Sequence, residues 1–200
     1  MAVYLDEDQI GSDAAMIGFP HLLLCMGVVL VMGDGSLVGA HFTKPTSEQY
    51  VLRRLMRECM RNGSGMSQLY CMGNIPVHVG EFGGLDINGK AAALGFTGQG
   101  YVADFSVLKP TDGTYAQVTS AGANNRARVR CQLNEGLSYS HGSLGNSSGI
   151  FKITKREVGA ADGTGGTHFG SRQMKIGTTG ATVNDGQFLL TPYLKSVTIA

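Results

Sequence analysis

Cys25 and His41 stand sixteen residues apart, in the stretch Leu22-Leu-Leu-Cys25-Met-Gly-Val-Val-Leu-Val-Met-Gly-Asp-Gly-Ser-Leu-Val-Gly-Ala-His41-Phe-Thr-Lys-Pro45. A thiol and an imidazole without metal-ligand spacing are the minimum equipment for a thiolate nucleophile. The ring takes the proton, and the cation so formed favours the sulfur anion. A cysteine in apolar surroundings is equally at home as a small core hydrophobe. Which reading holds depends on whether the chain delivers both side chains to one place.

The elements that must do so are legible around the pair. Met26–Met32 is a continuous apolar run, Gly33-Asp34-Gly35-Ser36 interrupts it, and a second apolar run ends at His41, which together spell a β-hairpin. A three-residue Gly33–Gly35 loop pairs Met32 with Ser36 and hence Gly27 with His41. Cys25 and His41 are then a same-face diagonal pair, roughly 7–8 Å apart at Cα. A two-residue Asp34-Gly35 loop would oppose Val28 to His41 and send Cys25 to the other face. Catalysis therefore requires the odd loop, a bulge, or Cys25 on the segment before the strand.

Beyond the hairpin, Thr46 and Gln49 are spaced as a capping box after Pro45. Val51, Leu52, Leu55, Met56, Cys59 and Met60 recur at helical spacing, with Arg53, Arg54, Arg57, Glu58 and Arg61 opposite, and Asn62-Gly63 is a stop. The spacing predicts a helix from about Thr46 to Asn62 with its apolar stripe on the sheet. Leu69–Asn74 and Ile75–Val79 read as a strand broken at Gly73-Asn74-Ile75-Pro76. Ala91–Leu94 and Gly100–Leu108 read as further β material. The stretch before Cys25, with Pro20 and His21 in it, reads as a loop. Short strands are expected at Tyr115–Thr119, Ala127–Leu133, Gly149–Thr154, Phe188–Leu190 and Ser196–Ile199. The expected architecture is one α+β domain over 1–200, a β-sandwich-like core of mixed and antiparallel strands with one main amphipathic helix and a β-rich C-terminal half.

Bulk properties narrow the function classes. The chain has 200 residues, 42% of them hydrophobic, enough for a substantial core without metal or disulfide staples. Net charge is +1, only 16% of residues are charged, and no basic stripe carries interleaved aromatics, so nucleic acid is not expected as a partner. Thirty glycines and five prolines point to tight turns between strands. The start of the sequence is acidic, unlike a secretory signal, and Pro20 and His21 break the one stretch near membrane length, Ala14–Met32. The four cysteines form no CxxC pair, which suits reduced thiols and a cytoplasmic site of synthesis, with or without later delivery into a target cell. Neither a metal nor a cofactor is expected, because no histidine pair has helical metal spacing.

The order of these parts, apolar strand with Cys25, turn, apolar strand ending in His41-Phe42 with Pro45, amphipathic helix, then Leu69–Asn74, resembles the CheD-type chemoreceptor glutamine deamidases. The catalytic domains of the cytotoxic necrotizing factors and of the Burkholderia lethal factor look like distant relatives with the same pair. The resemblance covers about Leu22 to Gly80. It implies a protein-glutamine deamidase, of housekeeping or effector (toxin) type, acting on a protein substrate that carries a target glutamine, with Cys25 as nucleophile and His41 as general base. Some relatives orient the histidine with a threonine six residues before the cysteine, where this chain has Phe19. The orienting group here would be a main-chain carbonyl near Phe19, Thr43 or Gln99. The Cys25–Gly27 amides are the expected oxyanion donors.

Two other readings compete. Gly73–Gly84, with His78 in it, resembles the His-Val-Gly segment of NlpC/P60-type cysteine amidases, which would pair Cys25 with His78 on peptidoglycan. As a plain structural residue, His78 is a strand histidine. The third reading is a non-enzymatic β-rich binding or assembly protein, in which loops such as Asp162–His168, with His141 and His168 among Gly and Ser, are turns.

Overall fold

A computed structural model of the chain describes residues 3–5, 9–43, 48–108, 113–133 and 191–200, with strand backbone also at 139–140, 150–152, 169–170 and 175–176. The strands in chain order are β1 (Val3–Tyr4), β2 (Gln9–Asp13), β3 (Met16–Leu22), β4 (Met26–Met32) and β5 (Leu37–Phe42), followed by helix α1 (Glu48–Asn62) and β6 (Met66–Gly73). Helix α2 (Ile87–Leu94) leads to β7 (Gly98–Asp104), β8 (Thr114–Thr119) and β9 (Arg128–Leu133). Then come β10 (Tyr139–Ser140), β11 (Ile150–Lys152), β12 (Phe169–Gly170), β13 (Lys175–Ile176) and β14 (Lys195–Ile199).

One sheet runs β12-β11-β2-β5-β4-β6-β7-β14, and a second runs β1-β3-β8-β9; β10 pairs with β13 separately. In the large sheet only β6 and β7 run parallel; β4, between β5 and β6, is antiparallel to both. The fold is α+β and strand-rich, with two main sheets and few helices.

Every residue of β4 and β5 is buried, because both faces of the large sheet are covered. Alternation sorts their side chains between two cores. Val28, Leu30, Val38, Ala40, Phe42, Leu69 and Cys71 face the helices, meeting Val51, Leu52, Leu55 and Cys59 of α1 and Ala91 and Leu94 of α2. Val29, Val31, Leu37, Tyr70 and Met72 face the second sheet, meeting Ile17, Phe19, Ala116, Val118 and Val129. This two-sided burial is why the strands read as unbroken apolar runs. Glycines in the central strands let the sheets close up. A Cβ on Gly27 would lie 3.1 Å from the Phe19 ring, and one on Gly39 would lie 3.1 Å from Ile17.

Helix α1 turns most of its apolar stripe inward, with Val51, Leu52, Leu55 and Cys59 buried and Met56 partly so, but Met60, counted in that stripe by its spacing, is exposed in the last turn. Arg53, Arg57 and Arg61 are exposed. Thr46, the capping-box residue, lies outside the described residues, as do His141, Asp162–His168 and Phe188–Leu190. The strands expected near 115–119, 127–133, 149–154 and 196–199 correspond to β8, β9, β11 and β14.

Three local expectations are corrected. Pro76–Glu81 is a π-helical turn, not a strand. Pro76 has no N–H to give a sheet ladder, and Phe82 N–H instead closes an i→i+5 bond on Val77 O at 3.1 Å. Ala91–Leu94 belongs to α2, which starts where the Asp86 carboxylate accepts from Gly89 N at 2.8 Å. The segment before Cys25 is strand β3, which tolerates Pro20 because its register on β8 shifts between Phe19 and Leu22.

Candidate active site around Cys25 and His41

The hairpin closes through the odd loop. Gly35 N–H donates to Met32 O and Met32 N–H to Ser36 O, both at 2.8 Å, and Gly35 takes φ +86°, the left-handed conformation that glycine adopts without strain. Asp34 accepts from Ser36 N at 2.9 Å and from its hydroxyl at 2.6 Å, which holds the Asp34 carboxyl below its ordinary pKa. Register follows from the loop: Met26 opposes Phe42 and Gly27 opposes His41. Cys25 precedes β4, directly after a bend at Leu23–Leu24. Its side chain joins Phe19, Leu22 and Val29 in the core between the sheets.

His41 enters the same layer. Its ring meets Phe19 edge-on, with centroids 5.8 Å apart and planes at 85°. Nδ1 lies 3.0 Å from the main-chain carbonyl of Leu5. A carbonyl only accepts, so Nδ1 carries the hydrogen, and in the neutral ring the lone pair sits on Nε2. Leu5 is placed by β1: its own N–H donates to Gly18 O at 2.8 Å, beside Phe19. The histidine is thus oriented by a backbone carbonyl alongside Phe19, contributed by the acidic opening segment. Gln99 is engaged elsewhere, with Ser196 at 2.6 Å and Val197 O at 3.1 Å.

Gly73 fixes the backbone at Cys25 from the other side. It pairs with Met26 across the ladder at φ +154°, and a Cβ there would come within 2.5 Å of the Cys25 carbonyl oxygen. No side chain fits in that space. The break at Gly73-Asn74 was visible in the sequence, but not that Cys25 is what it accommodates.

None of the four cysteines forms a disulfide, and all four are buried. Burial pushes Cys59 and Cys71 up to about 12 and Cys131 up to about 11, far from ionisation at neutral pH. Cys25 shares the core between the sheets with Cys131, while Cys59 and Cys71 lie in the core on the helical side.

His78 belongs to a different cluster on the helical side of the sheet, and the structure does not bring it to Cys25. Its Nε2 lies 3.4 Å from Glu48 Oε1 at the start of α1. Glu48 also receives the Lys90 ammonium and the Leu85 amide at 2.7 Å, while Lys90 donates to Leu85 O as well. Lys90 and His78 are fully buried and Glu48 nearly so. Burial opposes the charge on Glu48, but the His78 hydrogen bond, the Lys90 charge and the Leu85 amide outweigh it and hold the carboxyl below its ordinary value. His78 is therefore a buried histidine of a helical turn, not of a strand. Nothing in a charge pattern distinguishes Glu48 and Lys90 from solvated residues, so this cluster was invisible in the sequence.

Among the described residues no group of three His, Cys, Asp or Glu side chains could hold a metal, and no helix is long and apolar enough to cross a membrane. No protein-family model, curated protein or solved structure matches the chain.

Proposed function

We propose that this chain is a protein-glutamine deamidase with Cys25 as nucleophile and His41 as general base. One observation carries the reading: the register that opposes Gly27 to His41 puts the imidazole in the layer that holds the Cys25 thiol, with its tautomer fixed by the Leu5 carbonyl. In this mechanism Nε2 takes the thiol proton and the thiolate attacks the carboxamide carbon of a substrate glutamine. The tetrahedral intermediate collapses as the imidazolium returns that proton to the leaving nitrogen, releasing ammonia and leaving a thioester. Water, deprotonated by His41, then attacks the thioester carbonyl to give glutamate and regenerate the thiol. From Met26 onward β4 has a neighbour on each side, so its amides serve the two ladders. The oxyanion donors are accordingly assigned to the bend at Leu23–Cys25, not to Met26 or Gly27.

The test is incubation with candidate proteins and detection of the Gln-to-Glu mass change at isotopic resolution. Cys25→Ser and His41→Ala are each expected to lower the rate at least about a hundredfold while the protein stays folded. Full activity of folded Cys25→Ser removes the reading. Iodoacetamide labelling supplies a second measure: selective modification of Cys25 at neutral pH supports an enzyme, whereas uniformly inert thiols point to a binding or assembly protein. The amidase reading with His78 gains nothing here, since that ring is bonded to Glu48 on the far side of the sheet.

A further inference from the structure

Where β6 and β7 end, with Gly73 beside Asp104, the fold opens on a cavity of about 880 Å³. Met26, Cys71, Val79, Ile87, Val102 and Val197 form its apolar wall. Apart from that wall, Asp86, Asp104, Asn88 and Lys195 contribute polar groups. Asp104 is half-buried, while Asp86 and Lys195 are exposed at the rim. The fold uses one oxygen of each carboxylate: Asp104 Oδ1 accepts from Ile75 N at 3.3 Å and Ser106 N at 3.0 Å, and Asp86 Oδ1 from Gly89 N at 2.8 Å. No ion pair joins Lys195 to either carboxylate among the described residues.

We propose that this cavity is a binding site for a small amphiphile with an apolar chain and a cationic, amine-type end. The volume falls within the range of small-molecule sites, about 300–1,000 Å³. The wall takes an alkyl chain out of water. Two carboxylates beside a low-dielectric surface favour a cation and oppose an anion, while Lys195, on a long stem at the rim, keeps its ammonium in water. The site lies mainly on the helical side of the sheet, so it stands independently of Cys25 and His41.

The protein labelled with ¹³C-methyl methionine is titrated with octylammonium and, separately, octanoate, probes of equal chain length and opposite charge. Met26 reports the cavity, and Met56 on α1 is the remote control. The Met26 methyl is expected to shift and saturate with octylammonium at an affinity at least about tenfold above that for octanoate, with Met56 unmoved. Asp86→Asn combined with Asp104→Asn keeps both Oδ1 acceptors and removes only the charge, and it should bring the two probes within about threefold of each other. Val102→Phe, which fills the wall, should weaken both. An unresponsive Met26, equal affinities in the unaltered protein, or a charge preference that survives the double substitution would overturn the proposal.

Discussion

At Cys25 and His41 backbone groups add to the side-chain packing on Phe19. The Leu5 carbonyl holds His41 from one side, and Gly73 leaves room for the Cys25 carbonyl on the other. Gly73→Ala should therefore displace the nucleophile. The expected outcome is a loss of about a hundredfold in deamidation with a stability cost of about 1–3 kcal/mol, measured by steady-state kinetics and urea titration. Cys59, Cys71 and Cys131 should resist iodoacetamide at pH 8, because burial holds their thiols at about 12, 12 and 11. Peptide mapping after labelling checks this. Residue types and spacing made Cys25 and His41 legible, but their shared face was not, since Gly35 suits a two-residue Asp34-Gly35 loop as well as the three-residue loop that forms. Nor was the orienting group, since any of the chain's carbonyls could have filled that role, and only the parallel pairing of β1 with β3 selects Leu5.

At the scale of elements, α1 followed its periodicity except at Met60, while the stretch from Pro76 to Leu94 did not. Leu55 is fully buried beneath α1, so Leu55→Ala should cost about 2–5 kcal/mol. Arg57→Ala on the exposed side should change stability by no more than about 0.5 kcal/mol. Thermal melts of the pair test the assignment of faces. The apolar residues of Ile75–Val79 imitate a strand, but Pro76 cannot serve a ladder and the chain winds into a π-helical turn instead. That turn and α2 deliver His78 and Lys90 to Glu48. Removing one partner of such a buried pair strands the other charge, so Lys90→Met should lower stability by about 3–5 kcal/mol in denaturant titrations.

Across the whole molecule, the acid limb of the stability curve is tied to Glu48. Its folded-state carboxyl lies below the ordinary value of 4.5, so the unfolded chain binds the proton more readily. The contribution is complete above about pH 4.5 and is lost as pH falls through the lower folded value. Glu48→Gln should flatten that limb, as followed by circular dichroism from pH 7 to pH 2. The sheet order makes a second demand: β4 has neighbours on both sides and both faces covered. Amides of Val28–Val31 should exchange with solvent only through global unfolding, which hydrogen exchange resolves.

The pairing of β14 with β7 has a consequence for biosynthesis. Lys195 meets Val102, partners separated by 93 positions of chain. A ribosome adding about 5–20 residues per second needs roughly 5–20 s to cover that interval. Throughout it, β7 can already lie against β6 while its other edge waits for a strand not yet translated. An open edge of this kind is a template for neighbouring polypeptides on the same message. The nascent chain is therefore most vulnerable to misassembly between completing β7 and releasing β14, and premature termination anywhere in that interval leaves the edge permanently bare.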